Sequence, residues 1–239
     1  MKIGIIGAMQ VEVDHLVSQL NNASLERCAR MEFHAGHLGD ADVVVVRSGV
    51  GKVDAAVCAE ILIERFGCTH VVNTGIAGSL NNQLNIGDVL VSSDVCHHDV
   101  DATNFGYAPG QVPGLPAATF DADPRLRAAA LRAAAEVAPE IVAMEGRVAS
   151  GDQFVRDADT KVRIVKLFSA DCCEMEGASI AQTCWLNETP FVVVRAISDK
   201  ADGSAHEDYP TFEAAAARHC SQIVERMVEL LVSDPSCGR

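Results

Sequence analysis

Apolar positions in this chain form short unbroken runs that alternate with helical stripes. Lys2–Ile6 is the first run, and Gly7 breaks it. From about Gln10, Val13, Leu16, Val17 and Leu20 recur at i, i+3, i+4 and i+7, which predicts an amphipathic helix. Met31–Leu38 and Asp42–Arg47 read as two strands joined by a tight Gly39–Asp40 turn. A helix opens after Ser48-Gly49-Val50-Gly51-Lys52 and runs to about Phe66. His70–Thr74 and Gly87–Ser93 are further strands, and Asn104–Thr119 reads as a long loop. Asp123-Pro124 supplies a cap and a first-turn proline for an Ala-rich helix ending before Pro139. Met144–Ser150 and Asp171–Met175 predict strands, with helices near 157–168 and from Gly177 to about Leu186. Phe191–Val194 has the composition of a strand buried on both faces. A last helix is predicted from about Thr211 to Leu231, with Ile223, Met227, Leu230 and Leu231 on one face.

Strands alternating with helices predict an α/β fold, a three-layer α/β/α sandwich, and the hairpin near 31–47 makes its central sheet mixed. At 239 residues one domain is expected, spanning 1–232, with a frayed tail over 233–239. The formal net charge of −14 speaks against nucleic acid and against an anionic membrane surface as partners. No apolar run approaches the ~18 residues of a membrane span, and no secretory leader is expected from the first residues. Nine cysteines without a Cys-x-x-Cys pair suggest buried thiols in a cytoplasmic protein. The adjacent Cys172 and Cys173 should point to opposite faces of a strand.

Candidate chemistry sits where strands end. Asp199 ends the strand that the apolar run Phe191–Val194 opens, and open α/β sheets bind ligands at the carboxyl ends of their strands. A turn-capping role is the commoner fate of such an Asp. Glu12 lies in a first helical turn, where a carboxylate is favoured electrostatically and needs no other purpose. Gly75-Ile76-Ala77-Gly78 offers small residues at a strand end, leaving room for a ligand. The Gly49–Lys52 loop lacks the GxxxxGK[ST] spacing of a phosphate loop, so its glycines allow close backbone approach instead. His97-His98-Asp99-Val100-Asp101 fits no standard zinc spacing and reads as a polar loop. Phe154 and Met175 would ordinarily be core residues.

Four motifs then stand together: Gly75-Ile76-Ala77-Gly78, Ser150-Gly151-Asp152, Glu174-Met175-Glu176 and Arg195-Ala196-Ile197-Ser198-Asp199. With Met1–Met9 and Glu12, in this order, the chain resembles the purine nucleoside phosphorylase/hydrolase family over residues 1 to about 232. It is most similar to the bacterial branch that hydrolyses 5'-methylthioadenosine and S-adenosylhomocysteine. The resemblance implies hydrolysis of an N-glycosidic bond to adenine and a thioribose, with 5'-deoxyadenosine a further substrate and methionine salvage the setting.

By the same resemblance Asp199 is the general acid toward the purine N7, Glu12 activates the water, and Arg195 helps hold water and carboxylates. Glu176 would bind the ribose hydroxyls, with Met175 against the sugar. Phe154 would stack on adenine, and Val155 would offer backbone groups to the base edge. Glu174, Ser198, Ile76, Ala77 and Gly78 complete the implied substrate contacts. Val50 and Tyr209 would line the 5' groove, and Phe105 and Pro113 would come from the partner subunit of a homodimer. No cofactor and no metal are implied.

An acid catalyst here must be protonated near neutral pH, which costs an ordinary Asp about 4 kcal/mol. Ile76 replaces a usual Ser and Tyr209 a usual Phe, which bears on substrate range. Two alternatives stay open, another adenine nucleosidase of the futalosine type and a phosphorolytic enzyme. The second lacks support at Gly7–Val11, where no Arg follows the first strand and Glu12 would repel phosphate. A nucleoside-binding sensor would need no water activator.

Overall fold

The computed structural model describes residues 1–201 and 205–233, the side chains of 205–211 excepted. Its strands are β1 (Lys2–Gly7), β2 (Asn21–Cys28), β3 (Met31–Leu38), β4 (Ala41–Arg47), β5 (His70–Ser79), β6 (Val89–His97), β7 (Thr119–Asp121), β8 (Ala143–Ser150), β9 (Cys172–Glu174) and β10 (Phe191–Asp199). The helices are α1 (Gln10–Gln19), α2 (Lys52–Glu64), α3 (Pro124–Val137), α4 (Ala158–Phe168), α5 (Gly177–Leu186) and α6 (Ala205–Ser233).

The sheet is mixed, as expected. β1 lies parallel between β4 and β5, and the hairpin β3–β4 and then β2 extend that side antiparallel. On the other side the pairing closes on itself. β5 pairs with β10, β10 with β6, β6 with β8, β8 with β9, and β9 returns to β5. The local pattern of residues does not reveal this closed ring of five strands. Helix α6 packs on α1, α3, β5 and β10, while α2 packs on α5 and β1.

Every residue of β5 and β10 is buried, which is why both read as continuous apolar runs. Fully burying each Val or Ile of β10 contributes roughly 1.5–3 kcal/mol. Cys172 and Cys173 do face opposite ways, one into the main core and one into a smaller cluster with Cys96 and Phe168.

Several elements differ from expectation, and β6 runs past Ser93 to His97. β5 does not stop at Thr74 but continues through the small residues to Ser79. β2 is exposed along almost its whole length, so no apolar alternation marks it. β7 lies at the end of the segment that reads as loop and pairs with β6. α6 begins at Ala205, so Pro210 stands in its second turn and not ahead of it. The tail 234–239 lies outside the described residues.

Candidate active site

Three strand ends and one helix start converge on a cavity of about 170 Å³. Glu12 enters from α1, where the chain leaves β1. Its Oε2 accepts from Ala8 N at 2.7 Å and Met9 N at 2.9 Å, satisfying donors that precede the helix. Its Oε1 accepts from Ile76 N at 3.0 Å, which ties α1 to the end of β5. Asp199 enters from β10. The register between β10 and β5 shifts between Ile197 and Asp199, an irregularity of the kind that re-aims side chains near active sites. Asp199 Oδ1 accepts from Ala201 N at 2.7 Å, and Ser198 Oγ donates to Oδ2 at 2.9 Å. Both carboxyls line the same cavity.

Beside Glu12 lies Arg195, 0 % exposed in mid-strand. Its Nη2 donates to Glu174 and to Asn73 Oδ1, the latter at 2.6 Å. The same nitrogen lies 3.5 Å from Glu176 Oε2, and Nη1 lies 3.9 Å from Glu12 Oε1. Three carboxylates thus surround one guanidinium. Burial opposes the charge of Arg195, but Glu174, Glu176 and Glu12 outweigh it and hold its proton more tightly than usual. The carboxylates bear the opposite strain. Burial pushes Glu12 above the ordinary carboxylate range, against the pull of Arg195 and three N–H donors. Burial and then Glu174 push Glu176 up to about 7, against Arg195.

Gly75 makes this crowding possible. A Cβ there would run into Arg195 Nη1 and Glu12 Oε1, so only glycine lets the two side chains meet beside β5.

Glu174 faces the cavity but is heavily engaged. It accepts from Ser150 Oγ, from Gly177 N at 2.8 Å and from Glu176 N at 3.1 Å, so it also caps α5. Glu176 Oε1 accepts from Gly51 N at 2.8 Å, and its other oxygen faces Arg195.

The profile of the Phosphorylase superfamily matches residues 2–229. A protein of Shewanella sediminis named 5'-methylthioadenosine/S-adenosylhomocysteine nucleosidase is 44% identical over 232 residues, covering 97% of this chain and 100% of that one. The chain belongs to the phosphorylase superfamily and, within it, to this nucleosidase family.

Two solved structures show how closely the nucleosidase fold is kept. The nucleosidase of Neisseria meningitidis in complex with methylthio-immucillin-A has a TM-score of 0.92 at 40% identity, covering 95% of this chain and 98% of that chain. The futalosine hydrolase of Helicobacter pylori has a TM-score of 0.90 at 34% identity, covering 96% and 97%.

Of the residues that the nucleosidase resemblance implies, Met175, Ile76, Ala77, Gly78 and Ser198 also line the cavity. Phe154 and Val50 line it too, and both keep about half their surface exposed, at 49% and 54%. Phe154 is therefore not a core residue. Val155 is buried beside a neighbouring cleft of about 30 Å³. Phe105 is 77% exposed, Pro113 is also exposed, and neither reaches the cavity within this chain. The side chain of Tyr209 lies outside the described residues.

Sequence reasoning gave no site role to Ala8, Met9 and Cys173 on the cavity wall, nor to Asn73 and Ser150 behind it, although Ser150 and Met9 stood in the motifs. Asn73 carried a signal, as an amide inside the apolar strand β5. The polar loop begins at His98, since His97 is the last residue of β6; both histidines are buried, and His97 Nε2 lies 3.0 Å from Gln182 Oε1. Among the described residues no group of three His, Cys, Asp or Glu is placed to hold a metal ion.

Proposed function

We propose that this nucleosidase hydrolyses the N-glycosidic bond of 5'-methylthioadenosine and S-adenosylhomocysteine, and of 5'-deoxyadenosine, releasing adenine. The observation that carries the reading is the meeting of Glu12 and Asp199, distant in the chain, on one cavity. Two carboxyl groups flanking a sugar carbon are the apparatus of inverting glycoside hydrolysis. Glu12, its proton affinity raised by burial, takes a proton from water that attacks the anomeric carbon. Asp199 gives a proton to N7 as the bond breaks. The Ser198 hydroxyl can donate to the carboxylate or accept from the acid, so it supports Asp199 through the transfer. The other Asp199 oxygen accepts from a 6-amino group, which a 6-oxo purine lacks. Glu176 receives the ribose hydroxyls, Met175 lies against the sugar, and Phe154 stacks on the base.

Hydrolysis is favoured over phosphorolysis by charge. Among the described residues, Arg195 is the one Lys or Arg on the cavity wall, and Glu174, Glu176 and Glu12 surround it. A phosphate would enter a site whose cation is already neutralised, beside Glu12. The test is adenine release from 5'-methylthioadenosine in phosphate-free buffer. Full activity is expected there, and an obligatory need for phosphate would replace this reading with phosphorolysis.

The exposed Phe105 and Pro113 complete the 5' groove of a second copy, making a homodimer. Sedimentation should find a dimer; a fully active monomer would remove that role from both residues. The described cysteines are all free thiols, which suits work in the reducing cytoplasm. Among the described residues no helix is long and apolar enough to cross a membrane.

A further inference from the structure

The start of α2 has no cap of its own, since Gly51 carries no side chain. Carboxylates from elsewhere fill that role. Gly51 N donates to Glu176, and Lys52 N donates to Asp152 Oδ1 at 2.8 Å. Asp152 N in turn donates to Asp99 Oδ2 at 2.9 Å. Lys52 Nζ donates to Asp99 Oδ1 at 2.6 Å. The bonds close into a ring through three residues that belong to three separate segments: the start of α2, the loop after β6 and the loop after β8.

None of the three lines the cavity. Two of them carry its walls. Val50 stands two residues before Lys52, and Phe154 two residues after Asp152. Both are half exposed, so core packing alone does not fix them. The ion pair at the centre is better sheltered, with side chains 19% and 18% exposed. Burial works against the charge of Asp99, yet Lys52 and the Asp152 N–H more than compensate and hold its carboxyl below the usual range. At neutral pH Asp99 is therefore ionised, as the pair with Lys52 requires.

We infer that Asp99 is a positioning residue, which fastens the Val50 and Phe154 loops to each other through Lys52 and Asp152 and so pre-forms the nucleoside cavity. The identity of the ligand rests on the nucleosidase reading; the ring does not. A preset wall lowers the ordering cost of binding. Its loss should appear in KM, while Glu12 and Asp199, held by other bonds, keep kcat nearly unchanged.

The experiment compares Asp99→Asn, Lys52→Met, their double variant and Lys52→Arg with wild type. Amide hydrogen exchange of the unliganded protein is read first. Protection of the Lys52 and Asp152 amides, the two N–H donors of the ring, should fall together, about tenfold or more, in Asp99→Asn and Lys52→Met, and stay near wild type in Lys52→Arg. KM for 5'-methylthioadenosine should rise about tenfold in each broken-ring variant, with kcat within about threefold. The double variant should be no worse than either single one, because a ring opens once. Unchanged protection would overturn the inference, as would an unchanged KM with activity lost only in step with folded protein. If wild type releases no adenine, the nucleosidase reading fails, and the exchange result still decides whether the ring fastens the loops.

Discussion

Asp199→Asn is expected to slow adenine release by about a thousandfold while leaving nucleoside affinity within about tenfold of wild type. The asparagine keeps the shape of the side chain. Its carbonyl can still accept from Ala201 N, which now meets Oδ1 at 2.7 Å, and its amide can face Ser198. The loss is the proton. A purine departs badly as an anion, and an amide has no acidic hydrogen to hand to N7. Single-turnover release under saturating nucleoside measures the rate, and calorimetry with an analogue that does not react measures the affinity. An unchanged rate would take Asp199 out of the chemistry and leave it as the turn-forming residue that its sequence context first suggests.

Glu12→Gln is expected to cost at least as much, for two reasons that add. The base is gone, which by itself removes roughly 10²–10⁴ in rate. The geometry suffers as well. Both oxygens of Glu12 accept from backbone N–H groups, at Ala8, Met9 and Ile76. A glutamine must turn its NH₂ toward at least one of those donors, leaving a buried N–H without an acceptor.

The pH profile separates the two losses. As the proposed base Glu12 works ionised, so the wild-type rate is expected to rise with pH as its proton leaves. Burial raises its proton affinity, so that rise lies above the ordinary carboxylate value of 4.5. In Glu12→Gln the residual rate should show no such rise. A variant that keeps it would assign the titration to a neighbour, with Glu176 first in line at about 7.

What the sequence showed of this site depended on contrast. Asp199 stood out as a polar residue at the end of an apolar strand. Arg195 stood in the same strand with greater contrast, a charge within Phe191–Ile197, yet its surroundings could not be read locally. Its partners Asn73, Glu174 and Glu176 come from β5, β9 and the start of α5, and only the resemblance to a known family linked some of them in advance. Strands buried on both faces were legible because burial selects apolar runs. β2 was not, because an exposed edge strand needs no alternation. β7 was not, because three residues carry too little pattern. The ring from β5 through β10, β6, β8 and β9 was invisible because it is made of pairings between distant segments.

That ring has a bearing on synthesis. β10 is the last strand to leave the ribosome, and its place is between β5 and β6, which are made early and pair with it along opposite edges. In chain order α3, α4 and α5 lie between β6 and β10. Until it is filled, Glu12, Glu174 and Glu176 have no guanidinium among them and Asp199 does not yet exist. On the proposed assignment, the acid and the base share a cavity only once β10 is in place beside β5 and β6.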